Sequence, residues 1–337
     1  MRSVLPVLML AVFSSLWAQS PTEYEIAHTY TLGGPGRWDY VIPDAANHRL
    51  FIGREDRIMV VDEDSGHLLG EIGHINGAHG IALASESGHG FATSGHDGYV
   101  VMFDLETLQE LGRIPAAEDA DAIIFDPATN RVFSFNGDAH SATVIDASSG
   151  KPVGNIDLGG KPEYGASAGD GRVFVNLTDT SEVAELDARN ATVLRRWPTA
   201  PCNQPVAMAI DTAHHRLFSG CRSGVLAVSD YEAGKVVATA PIGAGVDGVG
   251  FDPGTGTVFA SNAAGTLTII HQDSPDEYTV TQTLETSPGS RNMGLDPENH
   301  RIYIPEAKFS QGNSASGWGR GEVLPDSFAL LVVERAP

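Results

Sequence analysis

Five charged or imidazole side chains occupy one position of a long-period repeat. Asp39, His79, Asp121, Asp247 and Arg291 each stand twelve residues before an aromatic residue. Pro162 and Val206 fill the same position in two further units, so the repeat itself does not demand charge there. Tyr40, Glu163 and Asn292 follow directly after three of these positions. Carboxylates gathered at one place repel unless a cation or a basic group sits among them. Two chemistries fit the set. With Arg291 as the neutralising group, the residues Asp39, His79, Asp121, Glu163, Asp247, Arg291 and Asn292, joined by Glu306, form a binding surface for a small molecule or a protein partner, with no cofactor and no chemistry of its own. With a divalent metal, calcium or another, Asp39, Asp121, Asp247 and Asn292 are the candidate ligands, and the ion would be available as a Lewis acid. The first reading is preferred, because no short HxH or HExxH spacing fixes a ligand set.

The elements that must position these residues follow from the register. Phe51, Phe91, Phe133, Phe174, Phe218, Phe259 and Tyr303 fall 40, 42, 41, 44, 41 and 44 residues apart. Seven residues before them stand Asp44, Ala84, Asp126, Ser167, Asp211, Asp252 and Asp296. A period near 42 suits either a solenoid of helix pairs or a four-stranded propeller blade. Local patterning decides. Stretches such as IMVVDEDSGHLLGEI and ATVIDASSGKPVGNI read strand, turn, strand, and no window keeps helical spacing. The expected fold is all-β, a seven-bladed β-propeller. The last unit offers only three strands. Residues Tyr24–Leu32 alternate as a strand and are expected to complete it, closing the ring and removing an edge.

Within each unit the first strand has two unlike faces. Large apolar residues stand eight and ten before the aromatic, and small ones such as Gly80, Gly165, Gly248 and Gly294 alternate with them. This is the innermost strand, whose small face lets neighbours converge on the axis. The charged position lies where it enters the channel. Loops three residues after the aromatic open on the same face and bring Arg54, Ser94, Asn136, Asn262 and Glu306. A concave mouth with convergent polar groups is the default place for a ligand.

The fragments FSFN, FASN and FATS are variants of a Tyr-Val-Thr-Asn motif, and VIDASSGKPVGNIDLGGKPE resembles the strand-turn-strand linker of the YVTN-repeat, YncE-like propellers. The resemblance covers nearly the whole chain after residue 18. It implies a seven-bladed propeller of an exported bacterial protein and leaves the function open. More distant propellers act as metal-dependent lactonases or lyases, or as subunits of periplasmic redox complexes. A redox role would require a cofactor-bearing partner, since the chain has no CxxCH. FVNL and IPE at the equivalent places depart from the motif, so the Asn is not carried in every unit.

The 337 residues include 21 basic and 43 acidic ones, a net charge of −22. A field of that sign repels phosphate backbones, which argues against nucleic acid. Residues 1–18 read as a secretory signal, with Arg2 before the apolar stretch Val4 to Phe13, and place the protein in the periplasm or outside the cell. No later segment is apolar enough to insert in a membrane. Residues 19–337 are expected to be a single propeller domain and a monomer. A Gly- and Ser-rich insertion at about 306–325 interrupts the last unit on the mouth side. Phe309 and Trp318 suggest a lid, with Lys308 and Arg320 adding positive charge.

Cys202 and Cys221 are the only cysteines. One lies in the loop entering the fifth unit and the other in that unit's mouth-side loop, three residues after Phe218. The loops are neighbours on one face and the compartment is oxidising, so a disulfide is expected. It would contribute about 3 kcal/mol in the chain-entropy model. Unreduced, denatured protein is therefore expected to show no titratable thiol; two thiols would rule the bridge out.

Overall fold

A computed structural model of the chain describes residues 23–311 and 321–337. The expected signal, residues 1–18, lies outside them, as do Trp318 and Arg320 of the insertion. Among the described residues there are strands and two single-turn 3-10 helices but no α-helix, and thus no helix long and apolar enough to cross a membrane. The strands form antiparallel sheets in sequence order. In the third unit, for example, Ala120–Asp126, Arg131–Asn136, Ser141–Asp146 and Lys151–Asp157 run from the axis outwards. The second strand of each unit is buried almost throughout, because sheets pack on both of its faces; the fourth is largely exposed. This explains the recurring aromatic. Phe51, Phe91, Phe133, Phe174, Phe218, Phe259 and Tyr303 all have no exposed surface. The recurring Asp caps the hairpin that follows it: Asp126 Oδ2 accepts from Thr129 N and Oγ1, and Asp296 Oδ1 accepts from Glu298 N.

The expectation of seven blades is corrected. The seven sequence units are distributed over six sheets, five of four strands and one of six. The six-stranded sheet holds the first two units. Its strands are β2 (Val41–Asp44), β3 (Arg49–Asp62), β4 (Leu68–Ala84), β5 (His89–Ser94), β6 (Tyr99–Asp104) and β7 (Glu110–Pro115). β3 and β4 run on where other units break. In the third unit five residues separate Phe135 from Ser141, whereas at the same register the first unit has only Arg54, Glu55 and Asp56 between Gly53 and Arg57. The pairing of Glu55 with Ala78 then stitches the end of one unit to the start of the next. The result is a six-bladed propeller with one double-width blade.

The ring closes between the chain ends. β1 (Tyr24–Thr31) pairs antiparallel with Ala329–Arg335, from Tyr24 opposite Arg335 to Thr31 opposite Ala329. Tyr24 is buried and its backbone exchanges hydrogen bonds with the Gln282 amide of the neighbouring sheet. A second set of ties was not read from the sequence. Two residues before the aromatic stand Arg49, His89, Arg131, Arg172, Arg216, Thr257 and Arg301. All but Thr257 reach the outer turn of the following unit. Arg49 donates to Leu105 O, His89 to Ala147 O, Arg131 to Ala188 O, Arg172 to Glu232, Arg216 to Asp276, and Arg301 to Asp64 across the closing seam, at 2.6–2.8 Å.

The disulfide joins Cys202 to Cys221, with Cα atoms 5.6 Å apart and both residues buried. Phe309 is buried against Trp38, and its backbone pairs with Val323, so the described ends of the insertion pack on the seam. Removing residues 1–33 takes away β1 and the buried Tyr24. One buried aromatic is worth about 2 kcal/mol and each kcal/mol moves a domain of this size by roughly 2–4 °C. The truncated chain is therefore expected to melt at least about 5 °C below the full one; an unchanged Tm by circular dichroism would contradict the closure.

Candidate functional site

The inner strands meet backbone to backbone at glycine. A Cβ on Gly80 would lie 2.7 Å from Asp121 O, one on Gly248 2.7 Å from Met293 N, and one on Gly294 2.7 Å from Val41 O. Any larger residue would hold neighbouring strands apart. Because they touch, the side chains at their entrances touch as well.

Asp39 is the centre of one group. Its Oδ2 stands 2.6 Å from His79 Nδ1 and its Oδ1 accepts from Asn292 Nδ2 at 2.8 Å. Asn292 adopts the left-handed conformation, φ 66°, which Asn tolerates, and its Oδ1 accepts from Met293 N. His79 Nδ1 is 3.7 Å from Asp121 Oδ1. That oxygen is buried and has no hydrogen-bond partner. On the other side of the ring the charges are paired at longer range, Arg291 with Asp247 at 3.4 Å and Arg222 with Glu163 at 3.6 Å. Beneath lies Tyr40, its ring 5.1 Å from that of Tyr164. Burial, and then the charges of Asp121, Asp39, Glu163 and Asp247, push the Tyr40 hydroxyl well above its usual range.

The crowding of like charge shows in the other groups. Asp121 is raised well above the carboxylate range by burial and by Asp39, against the opposing pull of His79. Burial lifts Glu163 to about 7, with Arg222 opposing and Asp247 adding. Asp247 is raised by burial, with Arg291 opposing, Asp39 adding and Arg222 again opposing. For His79, burial favours the neutral ring, but the hydrogen bond and charge of Asp39, with Asp121 and Asp119 behind it, outweigh it and bring its pKa to about 9.

The structure thus brings Asp39, His79, Asp121, Glu163, Asp247, Arg291 and Asn292 to one mouth. Glu306 ends the strand Arg301–Glu306 opposite Ala329 and makes no side-chain bond to the ring among the described residues. Of the oxygen set Asp39, Asp121, Asp247 and Asn292, Asp39 accepts from the Asn292 amide and Asp247 pairs with Arg291. The ligating atoms that come within 4.8 Å of one another belong to Asp39, His79 and Asp121. Asn292 spends its amide on Asp39 and Met293, and Asp247 faces Arg291. Three loop residues read as mouth groups are structural instead. Arg54 is fully buried over Phe328 and donates to the carbonyls of Gly33, Gly34, Pro35, Gly36 and Arg37. Asn136, the Asn of FSFN, is buried and donates to Ser141 and Thr143; Asn262 bonds Ala260, Thr266 and Thr268 in the same way. Arg222 was missed because it lies off the repeat register; its signal was its place next to Cys221 in a mouth-side loop. It also lines a cavity of about 110 Å³ with Gly245, Val246, Asp247, Ala263 and Arg291.

No family model matches the chain, and no curated protein matches it. Solved structures do. "Structure of U3-55K" superposes with a TM-score of 0.73 over 89% of this chain and 98% of that one, at 12% identity. "Crystal structure of RRP9 WD40 repeats" gives 0.74 over 90% and 97%, also at 12% identity. The chain therefore shares the β-propeller fold of these structures, and at such identity the likeness extends to the fold alone.

A group raised in the folded state stabilises it below its unfolded pKa, and that contribution is lost as pH rises through the folded value. For His79 the window runs from about 6.5 to about 9. The Tm difference between wild type and His79→Gln is accordingly expected to be largest at about pH 6.5 and just below and to shrink as pH rises through about 9. A difference that stays constant across this range would contradict a charged His79.

Proposed function

We propose that the chain is an exported, YncE-like propeller that binds a small ligand through its mouth and performs no chemistry of its own. The observation that carries this reading is Asp121 Oδ1, a buried carboxylate oxygen without a donor in a ring of four acids. An unsatisfied buried acceptor costs about 1–3 kcal/mol, and more when charged. A cationic group at the mouth, where the Asp39 and Asp121 side chains keep 20% and 25% of their surface exposed, would offset the crowding of the four acids. Tyr40 and Tyr164 pack ring to ring beside these acids. Export rests on the signal-like residues 1–18 and agrees with the Cys202–Cys221 disulfide.

A second reading has one observation in its favour. The atoms of Asp39, His79 and Asp121 stand close enough to share a divalent metal, which would be held by two carboxylates and an imidazole. Metal binding requires a neutral imidazole. Asp39 raises the His79 pKa, so a metal would have to displace that proton. The test is calorimetric titration of chelator-treated protein with n-butylammonium, Ca²⁺, Mg²⁺, Mn²⁺ and Zn²⁺, repeated on Asp121→Asn. The expected result is binding of the amine, weakened about tenfold or more in the variant, and no stoichiometric metal. Tight metal binding that the variant loses would replace this reading with the metal centre.

A further inference from the structure

The outer turn of the first unit, which follows β3, docks on the sheet that closes the ring. The Tyr303 hydroxyl donates to Glu63 Oε1 at 2.6 Å and Arg301 Nη1 donates to Asp64 Oδ1 at 2.7 Å. From β1 the Tyr30 hydroxyl donates to Asp64 O at 2.8 Å. Gly66 has φ 70°, and a Cβ there would lie 2.6 Å from the Tyr30 side chain. The turn is thus held by the last unit and by the first strand together, at the joint where the chain ends meet.

One of these contacts differs from the others in kind. Glu63 and Tyr303 have no exposed surface. The Glu63 backbone donates to His48 O, and Tyr303 supplies the one hydrogen bond to its carboxyl; Oε2 is buried without a partner. Among the described residues no Lys, Arg or His side chain pairs with Glu63. Arg301 donates through Nε to Glu334 and through Nη1 to Asp64, and the exposed His48 ring lies 3.3 Å from Asp64. Asp296, also without exposed surface, adds a like charge from the last unit. A carboxylate buried with one donor and no counter-ion is costly, whereas the neutral acid is far less so. Burial accordingly lifts Glu63 to about 7, with Tyr303 opposing, Asp296 adding and Arg301 opposing.

We infer that this turn is an acid-held latch on the ring: it docks on the closing sheet while Glu63 keeps its proton and loosens when the proton leaves. An acid raised in the docked state favours docking below its ordinary value of 4.5. That contribution is lost as pH rises to about 7, and it stays lost above. The latch works whatever the mouth binds.

Hydrogen exchange of the full chain between pH 4.5 and 8.5, corrected for the intrinsic rate, reads the docking. Glu63→Gln keeps an acceptor for Tyr303 and cannot ionise, and the His48–Asp64 pair is common to both proteins. Protection over residues 62–67 in the variant, divided by that in wild type, is expected to rise about tenfold or more up to pH 7 and then level off. A ratio that does not change with pH would overturn the latch. Tyr303→Phe keeps the buried ring and removes only the donor, so it carries the test even where Glu63→Gln does not fold. Relative to wild type, its protection should go on falling above pH 7, because the missing donor lifts Glu63 further. No further fall in that range would also overturn the latch.

Discussion

Every feature of the mouth depends on inner strands that approach until one backbone fills the space where a side chain would be. Gly80 admits the Asp121 carbonyl, Gly248 the Met293 amide and Gly294 the Val41 carbonyl. That last contact joins the final unit to the first, so closing the ring and assembling the site are one event. Around the outside the residues two before each aromatic reach the next unit's outer turn, from Arg49 to Arg301. The inner contacts set the spacing of the mouth, and the outer ties hold successive units at the angle that keeps it. Substituting one of these glycines would be felt first in the geometry around Asp39, before any loss of core.

Convergence has an electrostatic consequence. Carboxylates from four units are forced into one partly dehydrated ring, and the protein meets the repulsion with local devices rather than with one counter-ion. Asp39 is held by His79 and Asn292, Asp247 faces Arg291, and Glu163 faces Arg222. Asp121 is left with burial and a neighbouring Asp39, and only a distant imidazole in its favour. A ring solved for stability alone would place a donor there.

Much of this was legible in the sequence. The period, the buried aromatic, the turn-capping Asp and seven of the eight mouth residues follow from counting in register, because each repeats under the same packing constraint. What spacing could not convey was hydrogen bonding. The blade count turns on whether Glu55 pairs with Ala78, a matter of backbone continuity and not of composition. The Asn of FSFN and Arg54 looked like open polar groups and are instead consumed by nearby backbone and hydroxyls. The arginine ties were present at a fixed offset and went unread, because that offset seemed to be only the start of a strand. Arg222 stands four residues after its aromatic, where no other unit carries a basic residue, so comparison between units did not point to it.

The central claim is that Asp121 carries an unmet demand for a donor. Carbon-13 NMR of the Asp side-chain carboxyls, assigned with Asp121→Asn, reads this directly. In the free protein Asp121 should titrate well above the usual carboxylate range, and addition of n-butylammonium should bring its pKa down, since a bound cation favours the charged form. An Asp121 that titrates in the ordinary range and does not move with this probe would contradict the account.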